Sequence, residues 1–95
     1  MSARIMRELG LTKVGLRYAR RIDRAYRRIW REYLRREQGL VGDLKLSELD
    51  SLIERLYSAH ACIRRAQAAI ARHRLDEAYR LLHEARLQLS TSLPP

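Results

Sequence analysis

The stretch from Leu16 to Gln38, LRYARRIDRAYRRIWREYLRREQ, allows few folds. It holds nine arginines. At about 100° per residue on a helix, eight of them fall on one side: Arg17, Arg20, Arg21, Arg24, Arg27, Arg28, Arg31 and Arg35. They cover an arc of roughly 120° that contains no acid. Asp23 and Glu32 sit just outside its edges, and Glu37 lies on the far side. The opposite side carries Tyr18, Ala19, Ile22, Ala25, Tyr26, Ile29, Trp30 and Tyr33. Such a helix has one core-seeking face and one continuous cationic face.

Net charge is +9 and unevenly placed. Residues 1–46 carry thirteen Lys/Arg against five Asp/Glu, and residues 47–95 carry seven against six. The asymmetry points to one basic surface rather than general solubility. Apolar content of 46% is enough for a core and argues against disorder. No apolar run approaches the ~20 residues of a membrane span. The opening MSARIMRELG is charged by its fourth residue and lacks an apolar h-region, so it does not read as a secretory signal. A single cysteine, Cys62, excludes an internal disulfide and fits a reducing cytoplasm. No Phe, two Pro and four Gly favour helix throughout.

The chain reads as a single helical domain over 1–95. Ser2 is placed to cap a short helix over about 3–9, with Gly10 as its stop. Arg4 and Arg7 are candidates to extend the basic surface. Thr12 is the next N-cap, and the long basic helix is expected from about 13 to 38, ending at Gly39. The segment 39–45, GLVGDLK, is the main interruption and lets the chain reverse. Ser47 with Asp50 resembles a capping box for a second long helix over about 47–73. Its apolar positions Leu49, Leu52, Leu56, Ala59, Ile63, Ala66 and Ile70 alternate by three and four, so this face packs along another helix. Leu75, Ala78, Leu82, Ala85 and Leu89 repeat the pattern after a step of five. That phase shift predicts a turn at about 73–75 and a shorter third helix over 75–90, opened by Asp76 and Glu77. One bent helix over 47–89 is the rival. Residues 90–95 are expected as a frayed tail.

The segment 66–89, AQAAIARHRLDEAYRLLHEARLQL, resembles part of a tetratricopeptide unit, with RLDEA at its turn and Ala85 seven residues on. It departs from that pattern at His73, where Gly is favoured, and in the alanines of its first helix. There is no second unit, and such solenoids need about three. The resemblance implies a helix hairpin of that style, and no peptide-binding function is carried over. The fold expected is an all-α small antiparallel bundle or hairpin.

Solvated helix faces normally mix signs, with acids four residues before bases. Here Arg17/Arg21, Arg20/Arg24, Arg24/Arg28, Arg27/Arg31 and Arg31/Arg35 are like-charge pairs, each costing a few tenths of a kcal/mol. An anion that occupies the face would offset that cost. From Arg17 to Arg35 the helix rises about 27 Å. Arginine binds phosphate through bidentate, charge-assisted bonds and stays protonated. The expectation is non-catalytic binding of a DNA or RNA backbone. Nothing in the chain specifies a base sequence: it contains no Asn, and Gln38 is the only amide on this helix, so direct reading of adenines is not expected and recognition of shape and phosphate is. The seams are long for a monomer of this size, so a homo-oligomer or a place in a nucleoprotein complex is expected with it. The alternative is an accessory subunit whose basic helix docks an acidic protein or an anionic membrane. Tyr18, Tyr26, Trp30 and Tyr33 lie on the apolar side and read as core aromatics with hydroxyls at the rim. Trp30, nearest the border, is the one to test for base stacking.

Arg55-Leu-Tyr-Ser-Ala-His60 fits the loose Arg-x4-His pattern of the HEPN ribonucleases. That resemblance, a minor alternative, implies His60 as general acid or base and Arg55 as phosphate stabiliser. On a regular helix the two point about 140° apart. His60, Cys62, His73 and His83 lack a metal-ligand spacing, and no metal or cofactor is expected.

Overall fold

The computed structural model describes residues 2–39 and 46–92. Three helices account for nearly all of them: α1, Ala3–Glu37; α2, Leu46–Ala71; and α3, Leu75–Ser92. The fold is an all-α bundle. Cross-helix neighbours fix its directions. Tyr33 meets Asp50, Tyr26 meets Tyr57 and Glu8 meets His73, so α1 and α2 run antiparallel. Arg7 meets Asp76, and Gly15 approaches Leu82, so α3 runs alongside α1 in the same direction. The molecule measures 56 × 21 × 19 Å. Thirty-five residues at 1.5 Å each give α1 a length of about 52 Å, so this helix sets the long axis.

Both ends of α1 follow from capping chemistry. Ser2 Oγ accepts from the Ile5 amide at 3.2 Å. At the other end Gly39 adopts φ +77°, and its amide donates to the Arg36 carbonyl at 3.0 Å. Arg35 and Arg36 occupy the last turn, where cations complement the helix dipole. The expected short helix over 3–9 is not separate, and the basic helix does not begin at 13. α1 continues through Gly10 and Gly15. An interior glycine costs about 1 kcal/mol but stops a helix only where the backbone turns left-handed, and neither glycine does. Thr12 does not act as an N-cap. Its Oγ1 donates to the Glu8 carbonyl at 2.8 Å, a bond of helix interiors. Leu11 and Val14 pack against the core and hold this stretch to the bundle.

The remaining boundaries also shift slightly. α2 begins at Leu46, which puts Ser47 inside its first turn rather than at the cap. Asp50 accepts from Tyr33 Oη at 3.5 Å. Most of the expected 39–45 connection, residues 40–45, lies outside the described residues. α2 and α3 are two helices, not one bent helix. His73 takes φ +59°, the Arg74 amide donates to the Ala69 carbonyl at 2.8 Å, and the His73 amide donates to the Ile70 carbonyl at 3.0 Å. This paired arrangement is a Schellman closure with histidine at the usual glycine position. α3 extends through Ser92, so the expected frayed tail is helical over 90–92, and 93–95 lie outside the described residues. Ser90 Oγ donates to the Arg86 carbonyl at 2.9 Å.

The core is built from the predicted seams. Leu49, Leu52, Leu56, Ala59, Ile63 and Ala66 of α2 are buried, and Ile70 is partly buried against them. Every member of the α3 seam, from Leu75 to Leu89, is buried. Ala59, Ala66, Ala78 and Ala85 are fully enclosed at 0% exposure, so α2 and α3 approach closely along their small residues. α1 adds Ile22, Ala25 and Ile29. Among the described residues no helix is long and apolar enough to cross a membrane.

Candidate nucleic-acid interface

The side of α1 away from α2 and α3 carries the arginines. Arg17, Arg20, Arg24, Arg27, Arg28, Arg31 and Arg35 are exposed, and Arg21 is half-buried at the edge of the packed face. Lys13 falls within the same arc and is exposed. The cationic row therefore runs from Lys13 to Arg35, a rise of about 33 Å. Arg4 and Arg7 do not extend it. They lie nearer the core side and pair with acids, Arg4 with Glu8 at 3.8 Å and Arg7 with Asp76 at 3.5 Å.

Ion pairing separates the row from the rest of the surface. The arginine–carboxylate ion pairs among the described residues join Arg4 to Glu8, Arg7 to Asp76 and Arg74 to Glu77, and the His73 ring meets Glu8. None of them involves the eight stripe arginines. Of the two acids at the edges of the arc, Glu32 turns inward and is 5% exposed, while Asp23 stays at the surface. Repulsion along the row is therefore relieved by no close ion pair among the described residues and depends on solvent screening.

The aromatics are not all core. Trp30 is 64% exposed, contrary to the expectation that it belongs to the packed face. The buried residues of α1 centre on Ile22, Ala25 and Ile29, which turns Trp30 about 100° away from that line. Tyr18, Tyr26 and Tyr33 are half-buried against the core, as expected of rim aromatics. Trp30 and Tyr26 line an open depression of about 590 Å³ together with Arg27 and Arg31. Across from it on α2, the Tyr57 ring lies 6.1 Å from that of Tyr26, centroid to centroid, at 56°, and is 64% exposed. Burial, with Tyr57 and Asp23 nearby, raises the Tyr26 pKa, so the side chain remains a neutral phenol at neutral pH. Its hydroxyl has no hydrogen-bond partner among the described residues. Leu16 and Leu34 are also exposed, along the same border of the cationic row as Trp30. The same helical period that places the arginines also places Lys13 in their arc and Leu16 and Leu34 at its border, so these three were legible in the sequence.

The other candidates do not converge. Arg55 and His60 are both exposed on the regular helix α2, and five positions of helix hold their side chains about 140° apart. His60 instead lines a cavity of about 100 Å³ between α1 and α2 with Asp23 and Arg64. His73 Nδ1 lies 2.6 Å from Glu8 Oε1. Cys62 is buried, and desolvation, reinforced by Glu84 and opposed by Arg65, raises its pKa. That makes it a poor nucleophile at neutral pH. Among the described residues no group of three or more His, Cys, Asp or Glu is arranged to hold a metal ion. No protein-family model, curated protein or solved structure matches this chain.

Proposed function

We propose that this protein binds nucleic acid without catalysis and without reading sequence, the arginine row of α1 lying along the phosphate backbone. The observation that carries the reading is the row itself: seven exposed arginines and one half-buried, none paired with a carboxylate among the described residues. Five like-charge i,i+4 pairs on one helix oppose folding by a few tenths of a kcal/mol each. A polyanion turns that cost into binding free energy, and released counterions add to it. Guanidinium groups suit phosphate because each offers a planar fork of donors. The exposed apolar border, Leu16 and Leu34 with Ile5 and Leu9 beyond it, supports the accompanying expectation of self-association or a place in a larger complex.

A second reading has its own support. An exposed Trp30 beside Arg27 and Arg31, with Leu16 and Leu34 on the same border, also suits a helix lying in an anionic membrane interface. An acidic protein surface would engage the same arginines.

Binding to duplex DNA, single-stranded RNA and anionic vesicles, measured side by side across salt concentrations, tests the proposal. Nucleic-acid affinity should fall steeply and linearly in log–log form, with a slope that reflects several phosphate contacts. Arg24→Glu, Arg28→Glu and Arg31→Glu together should abolish binding with helicity intact. Salt-indifferent binding, or binding to vesicles alone, would overturn it.

A further inference from the structure

The depression beside the cationic row has a composition that the phosphate-binding reading does not use. Tyr26 and Trp30 are four residues apart, so their rings stand one above the other along α1. Arg27 and Arg31 form a second row one residue on, about 100° around the helix. All four line the same open surface. Tyr57 continues the aromatic surface onto α2, 64% exposed and 6.1 Å from the Tyr26 ring. An exposed indole costs hydration free energy, which a flat apolar ligand would recover. A phosphate cannot do this, because it is neither flat nor apolar.

From this juxtaposition we infer that the preferred ligand is single-stranded nucleic acid, with a base stacked on Trp30 and the flanking phosphates held by Arg27 and Arg31; the inference rests on the nucleic-acid reading above. A single strand presents an aromatic face with each base and a charge with each linkage. Proteins that hold such strands combine these two elements, an aromatic platform and a basic track. A duplex offers only the charge, since its base faces are stacked on one another inside the helix. The arginine row alone serves either form, and the Trp30 platform adds affinity for one. Among the described residues the depression is lined by no amide or acid, and its two arginines are assigned to phosphates, so the preference is for strandedness and not for sequence.

Trp30 is the only tryptophan in the chain, so intrinsic fluorescence reports on this position alone. The full-length protein is titrated at fixed salt with a thymine homo-oligomer, with a duplex carrying the same number of phosphates, and with vesicles containing phosphatidylserine. The single strand should quench Trp30 fluorescence to saturation and bind more tightly than the duplex. Followed by the anisotropy of a dye-labelled oligomer, since the variant has no tryptophan, Trp30→Ala should weaken single-strand binding roughly tenfold, the loss of one stacked base, and leave duplex affinity and the salt slope unchanged. Trp30→Phe should recover part of the loss. Circular dichroism checks that each variant keeps its helicity, which an exposed position should allow. Equal effects of Trp30→Ala on both nucleic acids, no effect on either, or no quenching would overturn the inference. A blue shift on vesicles without any response to oligomers would overturn it in favour of a lipid surface. Loss of all binding in the Arg24, Arg28 and Arg31 reversal with no effect of Trp30→Ala would leave phosphate binding standing and remove the single-strand preference. If the reversal changes no binding, the phosphate reading itself falls.

Discussion

Nδ1 of His73 lies 2.6 Å from Oε1 of Glu8, which fastens the N-terminal part of α1 to the turn between α2 and α3. The same histidine sits at φ +59°, where a side chain costs about 1 kcal/mol and glycine costs nothing. Its ring is 57% exposed, and exposed pairs contribute between nothing and about 1 kcal/mol. Relief of backbone strain should therefore match or exceed the lost contact. His73→Gly is expected to leave the melting temperature unchanged or raise it, and Glu8→Ala to lower it slightly. A drop of more than a few degrees in His73→Gly would mean that the contact outweighs the strain.

Gly10 and Gly15 give a sharper stability prediction. Both are helical, and a Cβ added at Gly10 meets nothing within 4 Å. One added at Gly15 would stand 3.7 Å from Leu82 Cδ2, an ordinary contact. Each Gly→Ala change should stabilise by about 0.5–1 kcal/mol, which for a domain of this size is a few degrees in the thermal midpoint. If Gly10→Ala destabilises, the helix does break there in solution.

These glycines also mark where sequence reading falls short. Periodicity located the buried positions of α2 and α3 almost one for one, because the seam from Leu49 to Ile70 and that from Leu75 to Leu89 are each regular over several turns. The step of five between Ile70 and Leu75 correctly marked a chain reversal, and the structure closes it on a left-handed histidine. A glycine carries no comparable signal. Whether it ends a helix depends on tertiary packing, here the contacts of Leu11 and Val14 with the core. Trp30 was misread for a related reason. A helical wheel locates an edge but not how far the neighbouring helices wrap around it, and α2 and α3 stop short of Trp30.

The seam makes a large effect predictable. Leu56 is 0% exposed in the middle of α2. Leu56→Ala should cost about 2–5 kcal/mol, a large part of the stability of a small domain. Loss of a cooperative thermal transition, or a midpoint lowered by more than about 10 °C, is the expected readout. A midpoint within a few degrees of the parent would show that the seam is not the core.

Alkaline pH should weaken the fold. Burial raises the pKa of the Cys62 thiol above its ordinary 9.0 and that of the Tyr26 phenol above 10.0. Each group then keeps its proton in the folded chain at a pH where the unfolded chain has lost it. The stability it contributes is complete below the unfolded value and is lost as pH rises through the folded one. Urea midpoints should accordingly be flat from neutral pH to about 9 and fall above it. Cys62→Ala should flatten the first part of that fall, whatever it does to the midpoint at pH 7. An unchanged profile in this variant would remove Cys62 from the account.

The arginine row predicts how the free protein should respond to salt. Its five like-charge i,i+4 pairs stand on Cβ atoms about 5–6 Å apart, with no carboxylate partner among the described residues. Attractive surface pairs weaken as salt is added, whereas this repulsion is relieved. The thermal midpoint should therefore rise by a few degrees from low ionic strength to about 0.5 M sodium chloride, where the Debye length shortens to roughly 4 Å. Changing Arg24, Arg28 and Arg31 to Gln removes four of the five pairs, all but Arg17/Arg21. At about 0.2–0.5 kcal/mol each, the triple variant should be more stable than the parent at low salt by about 1–2 kcal/mol. Its midpoint should then depend little on salt. A parent protein that is destabilised by salt, or a variant that melts lower, would mean that these arginines hold the fold together. In that case the row could not be a surface kept free for an external anion.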